Sequence, residues 1–495
     1  MDIYDILEKF AEKKTGLAKE RGSNTVYNYS KARQKKNYNP HVQLWQSYYR
    51  GTVIGINTDT GFNGEKEYKI VRNSMRVPKI IAQKWAATLF TEAFKIALKN
   101  DGETDKFKEL ERLTRFRSKI IEAAVWGYSE GTSAIVAGAD IQENGNGGKV
   151  KLDIIKYDNI YPIVFTKDEI SVIAFAKQEI IGKDTVYTIS VHSEENGKFL
   201  VENIQAKIRR EPRQKDDIEF SALDNIIASN YYDSPQYCII KPNTVNDYTE
   251  SLPFGQAIFA DALAACDDAD LAAAGLRRDV KEGDQVTFIG RDLLMENVAG
   301  GDKKKIFSNP SGRFFTIPQD LSLQGNDEKK QLYDRVVPEI RVSEFRQALR
   351  DALDWATMAS GLGKGMLDIQ SMATATQVIH SEADKMQSKS LHEQYLEGEI
   401  IKLIKAMCEL SGMAGNNIDS NKVNIVWEDS VIVDTESAKR LAIAEIDNGV
   451  LGKDEYRAKF YGETLGQAKA KIKEIAGEDD DYSMIDSGAE DGDGE

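Results

Sequence analysis

The chain has 495 residues, 41% hydrophobic and 29% charged, an ordinary globular balance with room for two or three domains. Its net charge of -15 opposes tight DNA binding overall, because nucleic-acid affinity rests on Lys and Arg neutralising phosphates. No apolar run approaches the roughly 18–20 residues needed to cross a bilayer.

The opening "MDIYDILEKFAEKK" has neither the basic nor the apolar region of a secretory signal. Cys238, Cys266 and Cys408 lie far apart with no CxxC pair, so they read as buried thiols of a reducing compartment. Nine of the negative charges sit in residues 478–495, which carry no Lys or Arg, leaving the rest of the chain at -6. That tail lacks a hydrophobic pattern and reads as disordered.

In chain order, the first 130 residues read mainly as helix. "MRVPKIIAQKWAATLFTEAFKIAL" sets Val77, Ile81, Trp85 and Leu89 on one stripe, with Pro78 tolerable only in the first turn. A second helix is expected from about Thr104, as N-cap, through Leu110, Leu113, Ile120 and Ala124. The basic residues of "RLTRFRSK" fall on its solvent side. "NGNGG" at 144–148 signals a turn, after which a period of two predicts an antiparallel sheet across about 149–208. "RREPRQKDD" follows as a loop.

Near residue 253 the pattern reverts to helix, with nine alanines between 257 and 274. Ile258, Leu263, Cys266 and Leu276 are too sparse there for a normal core stripe. Such a helix suits close packing against copies of itself, since alanine favours helix and lets neighbours approach. "VTFIG", "KKKIFSNPSG" and "RFFTIP" then predict a small strand-and-turn module over about 284–330. Its large apolar residues are few (Val286, Phe288, Ile306, Phe314, Phe315, Ile317), so it should fold by pairing with neighbours. A helix starts near Ser343. The longest helix runs from about Ala373 to Leu410, roughly 55 Å at 1.5 Å per residue. Its apolar face is Ile379, Ala383, Met386, Leu396, Ile400, Leu403 and Met407.

Between these helices stands "SGLGKGMLDIQSMATATQV", residues 360–378. A phosphate loop needs G-x-x-x-x-G-K followed by Ser or Thr, whose hydroxyl holds magnesium. Here Met358 occupies the first glycine position, Gly365 follows Lys364, and a helix rather than a strand precedes the loop. "DTG" at Asp59–Gly61 sits in the polar stretch "NTDTGFNGE", read as a turn and unsuited to an aspartic protease. His41, His192, His380 and His392 show no metal spacing, and His192 reads as a structural or surface residue of a strand. No G-x-S-x-G elbow or Ser/His/Asp order emerges. The expectation is therefore no enzyme and no cofactor.

Several blocks occur in an order that resembles one family. "NPHVQLWQSYYRG", "RNSMRVPKIIAQKWAATLFTE", "NIYPIVF", "SLPFGQAIFADALAACDDAD", "VPEIRVSEFRQAL", "SGLGKGML", "TATQV" and "VWEDSVIVDTES" span about 38–462. Together they resemble portal proteins of tailed bacteriophages, or prophages, of Gram-positive hosts. Gln377 departs from the acidic residue that often follows the family's TAT motif.

The resemblance implies an α+β, mainly helical portal fold with paired stem helices, a wing sheet, a long wing helix and a small β clip. The divisions it implies are a wing at 1–250, stem helix 1 at 251–282, a clip at 283–337 and stem helix 2 at 338–360. A tunnel loop at 361–372, the long wing helix at 373–412, a crown at 413–477 and the acidic tail at 478–495 complete the chain.

It further implies a homo-oligomeric ring, usually dodecameric, at one capsid vertex of the virion, assembled in the host cytoplasm. Double-stranded DNA passes through it during packaging and ejection, while the separate terminase supplies the ATPase. Expected partners are the terminase large subunit, major capsid and scaffolding proteins, and a head-completion (adaptor) protein, with no membrane. The implied site residues are Gly361, Gly363, Lys364, Gly365 and Met366 in a mobile, DNA-facing loop. Ala264, Ala265, Ala272 and Ala273 are the implied stem contacts, and Lys303, Lys304, Lys305, Phe314 and Phe315 belong to the clip. A mostly acidic channel fits such a conduit, since strong phosphate neutralisation would grip the duplex. The competing readings are another minor capsid or head-tail connector protein, and an NTPase or nuclease.

Overall fold

The computed structural model describes residues 6–7, 34–62, 66–90, 94–98, 101–140, 149–167, 169–181, 184–209, 217–219, 228–283, 286–290, 295–297, 303–305, 314–317, 333–337, 339–367, 375–412 and 423–427, and then 439, 442–446, 448–449, 451–461, 466 and 468–474. Long helices alternate with small, mainly antiparallel sheets, the mixed α+β class expected. The chain divides into two compact units, Met1–Trp427 and Glu428–Glu495.

Helix α1 (Lys35–Arg50) buries Tyr38, Val42 and Trp45 at helical spacing. Helix α2 (Val77–Phe90) buries the predicted stripe Val77, Ile81, Trp85 and Leu89, with Pro78 in its first turn. Between them β1 (Thr58–Phe62) and β2 (Glu67–Val71) form a hairpin, and β3 (Phe94–Leu98) follows α2. The region is mainly helical as read, with three short strands that the reading did not include. Five-residue strands are too short for period two to stand out beside helices. Asp59–Gly61 accordingly lie in β1, not in a turn.

The second predicted helix is two, α3 (Asp101–Thr114) and α4 (Phe116–Glu130), broken at Arg115, whose φ of 55° is left-handed. Thr104 lies inside α3 rather than capping it, and its hydroxyl bonds the backbone of Leu98. Leu113, expected on the apolar face, is exposed, whereas Leu110, Ile120 and Ala124 are buried.

The predicted single sheet over 149–208 is two. Strand β5 (Lys149–Lys156) pairs with β4 (Ser133–Asp140), which pairs in turn with β12 (Tyr237–Ile240). The larger sheet runs β10-β9-β8-β7-β6, comprising β6 (Ile160–Phe165), β7 (Ile170–Ile181), β8 (Asp184–Glu195), β9 (Lys198–Arg209) and β10 (Asp217–Glu219). Strand β11 (Ala228–Tyr232) also pairs with β9. Alternation marks a strand but not its partner, so the sequence pattern could not separate β5 from β6. One face of the larger sheet packs under Ile6 and Leu7, against Ile163, Val172, Ala174 and Val191.

The crossover between the two sheets, Tyr157–Asn159, is pinned by a buried lysine. Lys35 is only 2% exposed. Its Nζ donates to the carbonyls of Tyr157 (2.8 Å), Asp158 (3.1 Å) and Ile160 (2.8 Å). The ammonium also lies 4.4 Å and 4.2 Å from the ring centroids of Tyr157 and Tyr161. Three charge-assisted bonds and two ring faces replace its hydration.

Helices α5 (Leu263–Glu282) and α6 (Val342–Ala359) pack against each other, and the β module lies between them in sequence. Strand β13 (Val286–Gly290) is central there, parallel to β16 (Phe314–Ile317) and antiparallel to β17 (Tyr333–Val336). Strands β14 (Met295–Asn297) and β15 (Lys303–Lys305) form a hairpin.

Helix α7 (Ala375–Leu410) buries Leu396, Ile400, Leu403 and Met407 on the predicted face. Ile379 and Ala383 of that face fall outside the described side chains. Side chains of α7 take backbone N–H groups from the segment running into and out of β12. Asn243 N donates to His392 Nδ1, Ile239 N to Glu399, and Asp233 N and Ser234 N to Glu409. Strand β18 (Val423–Trp427) pairs with β3 and closes the first unit. In the second unit α8 (Lys453–Tyr461) stacks Tyr456 on Phe460, and Asp454 meets Lys469 at 3.7 Å. The "NGNGG" turn, residues 210–216 of the predicted loop and the acidic tail lie outside the described residues.

Burial makes two histidines acid-labile elements of the core. His192, edge-on to Phe175 and Tyr237, is pushed down to about 3, and His392 to about 4, both by desolvation. A histidine kept neutral in the fold binds fewer protons than in the unfolded chain, so stability is lost as pH falls below about 6.5. Glu130, pushed up to about 7 chiefly by burial, contributes with the opposite sign and loses stability as pH rises toward 7. Comparing His192→Leu with the parent isolates one histidine. The variant should gain relative stability at pH 5 over pH 8, up to roughly 1.4 kcal/mol per pH unit. Parallel denaturant curves for both proteins at the two pH values would contradict this assignment.

Candidate functional site: the paired helices and their glycine loop

Helix α6 buries Ala352 and Ala356 against the body and turns Trp355 and Met358 outward. In α5, Cys266, Ala269 and Ala272 are buried, Ala265 and Ala273 half-buried, and Ala264 exposed. A Cβ at Gly275 would collide with the ring of Phe345 in α6. Part of the small-residue content of α5 therefore serves contact with α6 of the same chain. Ala264, the exposed one, remains a candidate for contact with another copy.

After Ala359 the chain makes a tight, core-anchored turn. Gly361, Gly363 and Gly365 have φ of 75°, 82° and 80°, the left-handed region that glycine enters without strain. Trp85 Nε1 donates to the carbonyl of Ser360 at 2.8 Å, and Leu362 between the first two glycines is fully buried. Met366 and Leu367 pack half-buried on the same core.

Residues 360–367 thus adopt one folded turn fastened to the core. The glycines are spent on a folded turn, and 368–374 lie outside the described residues. Proline, with φ fixed near -65°, cannot occupy Gly363 or Gly365 without refolding this turn.

The turn does bind an anion, supplied by its own chain. Asp354 Oδ1 accepts the Gly365 N–H at 3.1 Å, and Asp354 Oδ2 lies 3.6 Å from Lys364 Nζ. Alternating left-handed residues aim backbone N–H groups into such anion-receiving concavities. Asp354 was not singled out from the sequence. It stands ten residues before Lys364, and only the end of α6 and the reversal of the chain bring them together.

The remaining candidates are dispersed. Lys303, Lys304 and Lys305 form β15, paired with Asn297, Glu296 and Met295 of β14. Phe314 and Phe315 pair with Thr287 and Phe288 of β13. The side chains of these five residues are outside the described set, so their strand positions alone are known. Trp355 was also missed, although a tryptophan turned away from the Leu349 and Leu353 face of α6 was a readable signal.

Among the described residues no group of three His, Cys, Asp or Glu is arranged to hold a metal, and no helix is long and apolar enough to cross a membrane. Paired small-residue helices flanking a β module, a long buttressing helix and small antiparallel sheets make this a fold of the portal type. Residues 29–482 match the family of phage portal proteins, SPP1 Gp6-like, and the chain belongs to that family. No curated protein matches it.

Proposed function

We propose that copies of this chain close into a ring at one capsid vertex of a tailed phage or prophage of a Gram-positive host. Double-stranded DNA enters and leaves through its channel. The ring is dodecameric, as is usual in the family, and the protein is structural, with the separate terminase driving packaging. The observation that carries this reading is the family match across residues 29–482.

In that assembly α5 and α6 form the stem, β13–β17 the clip and residues 361–372 the loop facing DNA. The clip docks the terminase large subunit and afterwards the head-completion protein. Wing and crown meet capsid and scaffolding proteins. Lys364 offers one exposed charge per subunit, suited to passing contacts with phosphates rather than grip.

Electron micrographs of the purified full chain should show rings with an axial hole. Particles without a hole at every concentration tested would sink the reading and favour another head component.

A further inference from the structure

A groove of about 770 Å³ runs between α5 and α6. Ala265, Ala272, Ala348 and Ala352 form its floor, and Leu271, Phe345 and Trp355 its walls. Trp355 is 65% exposed and Leu271 43% exposed. Three carboxylates, Asp261, Asp268 and Asp351, stand along it, and among the described residues no Lys or Arg lines it.

We propose that this groove is the acceptor half of a head-to-tail contact between copies of the chain. The donor half is the arginine edge of the neighbouring copy's α6, Arg346 and Arg350. The inference rests on the ring reading above and names the surfaces that would close the ring.

Helix geometry separates the two halves on one element. Arg346 precedes Asp351 by five residues, and Arg350 precedes Trp355 by five. At about 100° per residue each arginine is turned roughly 140° around the helix from its groove residue. Arg346 and Arg350, four apart, share a ridge. One edge of α6 is therefore basic, while the groove on its other side is acidic and apolar.

That division decides the kind of contact. A two-fold contact would set the acidic groove against itself, with like charges opposed. A head-to-tail contact sets acid against base at every junction, and repeated with a closing rotation it makes a ring. Guanidinium is suited to the acceptor, because it pairs with carboxylates in a planar fork and stacks on an indole face. An exposed tryptophan in an acid-rimmed apolar groove is the pattern of a surface that becomes covered.

The test uses charge-reversed full-length chains. A groove variant carries Asp268→Lys and Asp351→Lys, and an edge variant carries Arg346→Glu and Arg350→Glu. Sedimentation should show each alone losing rings at least tenfold relative to the parent, with far-UV melting still cooperative. An equimolar mixture should regain rings, because the lysine groove then meets the glutamate edge while the native groove meets the native arginine edge.

Rings from either variant alone at parental yield would overturn the groove inference and leave the ring reading standing. Failure of the mixture to regain rings would also overturn it. A parent chain that stays monomeric at all concentrations overturns both. Because Arg350 already interacts within its own chain, Arg346→Glu is also read alone against Asp351→Lys, with the same outcomes at smaller amplitude.

Discussion

Lys35→Met should destabilise the first unit by about 3 kcal/mol or more, the largest single-residue effect expected here, since each buried acceptor left unpaired costs ~1–3 kcal/mol. The substitution keeps most of the side-chain volume and removes the ammonium. The carbonyls of Tyr157, Asp158 and Ile160 would then lose a donor at 2.8–3.1 Å. The contacts to Tyr157 and Ile160 are buried, and the one to Asp158 is part-buried. Lys35→Arg is expected to recover little, because a planar guanidinium cannot place one nitrogen at the centre of three converging carbonyls. Denaturant titration of the three proteins gives the comparison. A loss below about 1 kcal/mol for the methionine variant would show that the crossover is held by packing alone.

The second large effect belongs to Asp354. Asp354→Ala removes the acceptor of the Gly365 N–H and the counter-charge of Lys364. Hydrogen bonds to charged groups contribute about 1.5–3 kcal/mol. Amide exchange in residues 361–367 should therefore accelerate by roughly 10–100-fold. Helix α6 is otherwise fixed by Ala352 and Ala356, so rings should still form. On the proposed function, DNA packaging into procapsids should fall, because the loop no longer presents a fixed shape to the duplex. Asp354→Asn should lie between, keeping an acceptor while losing the charge. Unchanged exchange in the alanine variant would show that Trp85 and Leu362 hold the loop without help.

The long-range periodic features of this fold were readable from sequence. The stripe of α2, the start of α6 within one residue of Ser343 and the buried face of α7 all follow from apolar residues at helical spacing. The β module was legible from short β-branched and aromatic runs between turn signals. What failed depended on partners remote in sequence. Strand β3 was absorbed into the preceding helix because its mate β18 lies more than three hundred residues away. The break at Arg115 has no glycine or proline to announce it. At the candidate site the three glycines were visible, but the left-handed turn they make was not. Conformational freedom in an unfolded chain and commitment to a left-handed turn call for the same residue. Only the bonds to Asp354 and Trp85 distinguish the two.

The row of acceptors along α7 has a mechanical consequence. His392, Glu399 and Glu409 receive N–H groups from residues 243, 239 and 233–234, so acceptor number rises as donor number falls. The backbone of β12 and of the bends on either side of it is strapped antiparallel along the helix. His392 and Glu399 each take one backbone N–H, and Glu409 takes two. Sliding α7 by one turn, about 5.4 Å, would break these bonds together. These bonds key the long helix to one position against the segment that carries β12.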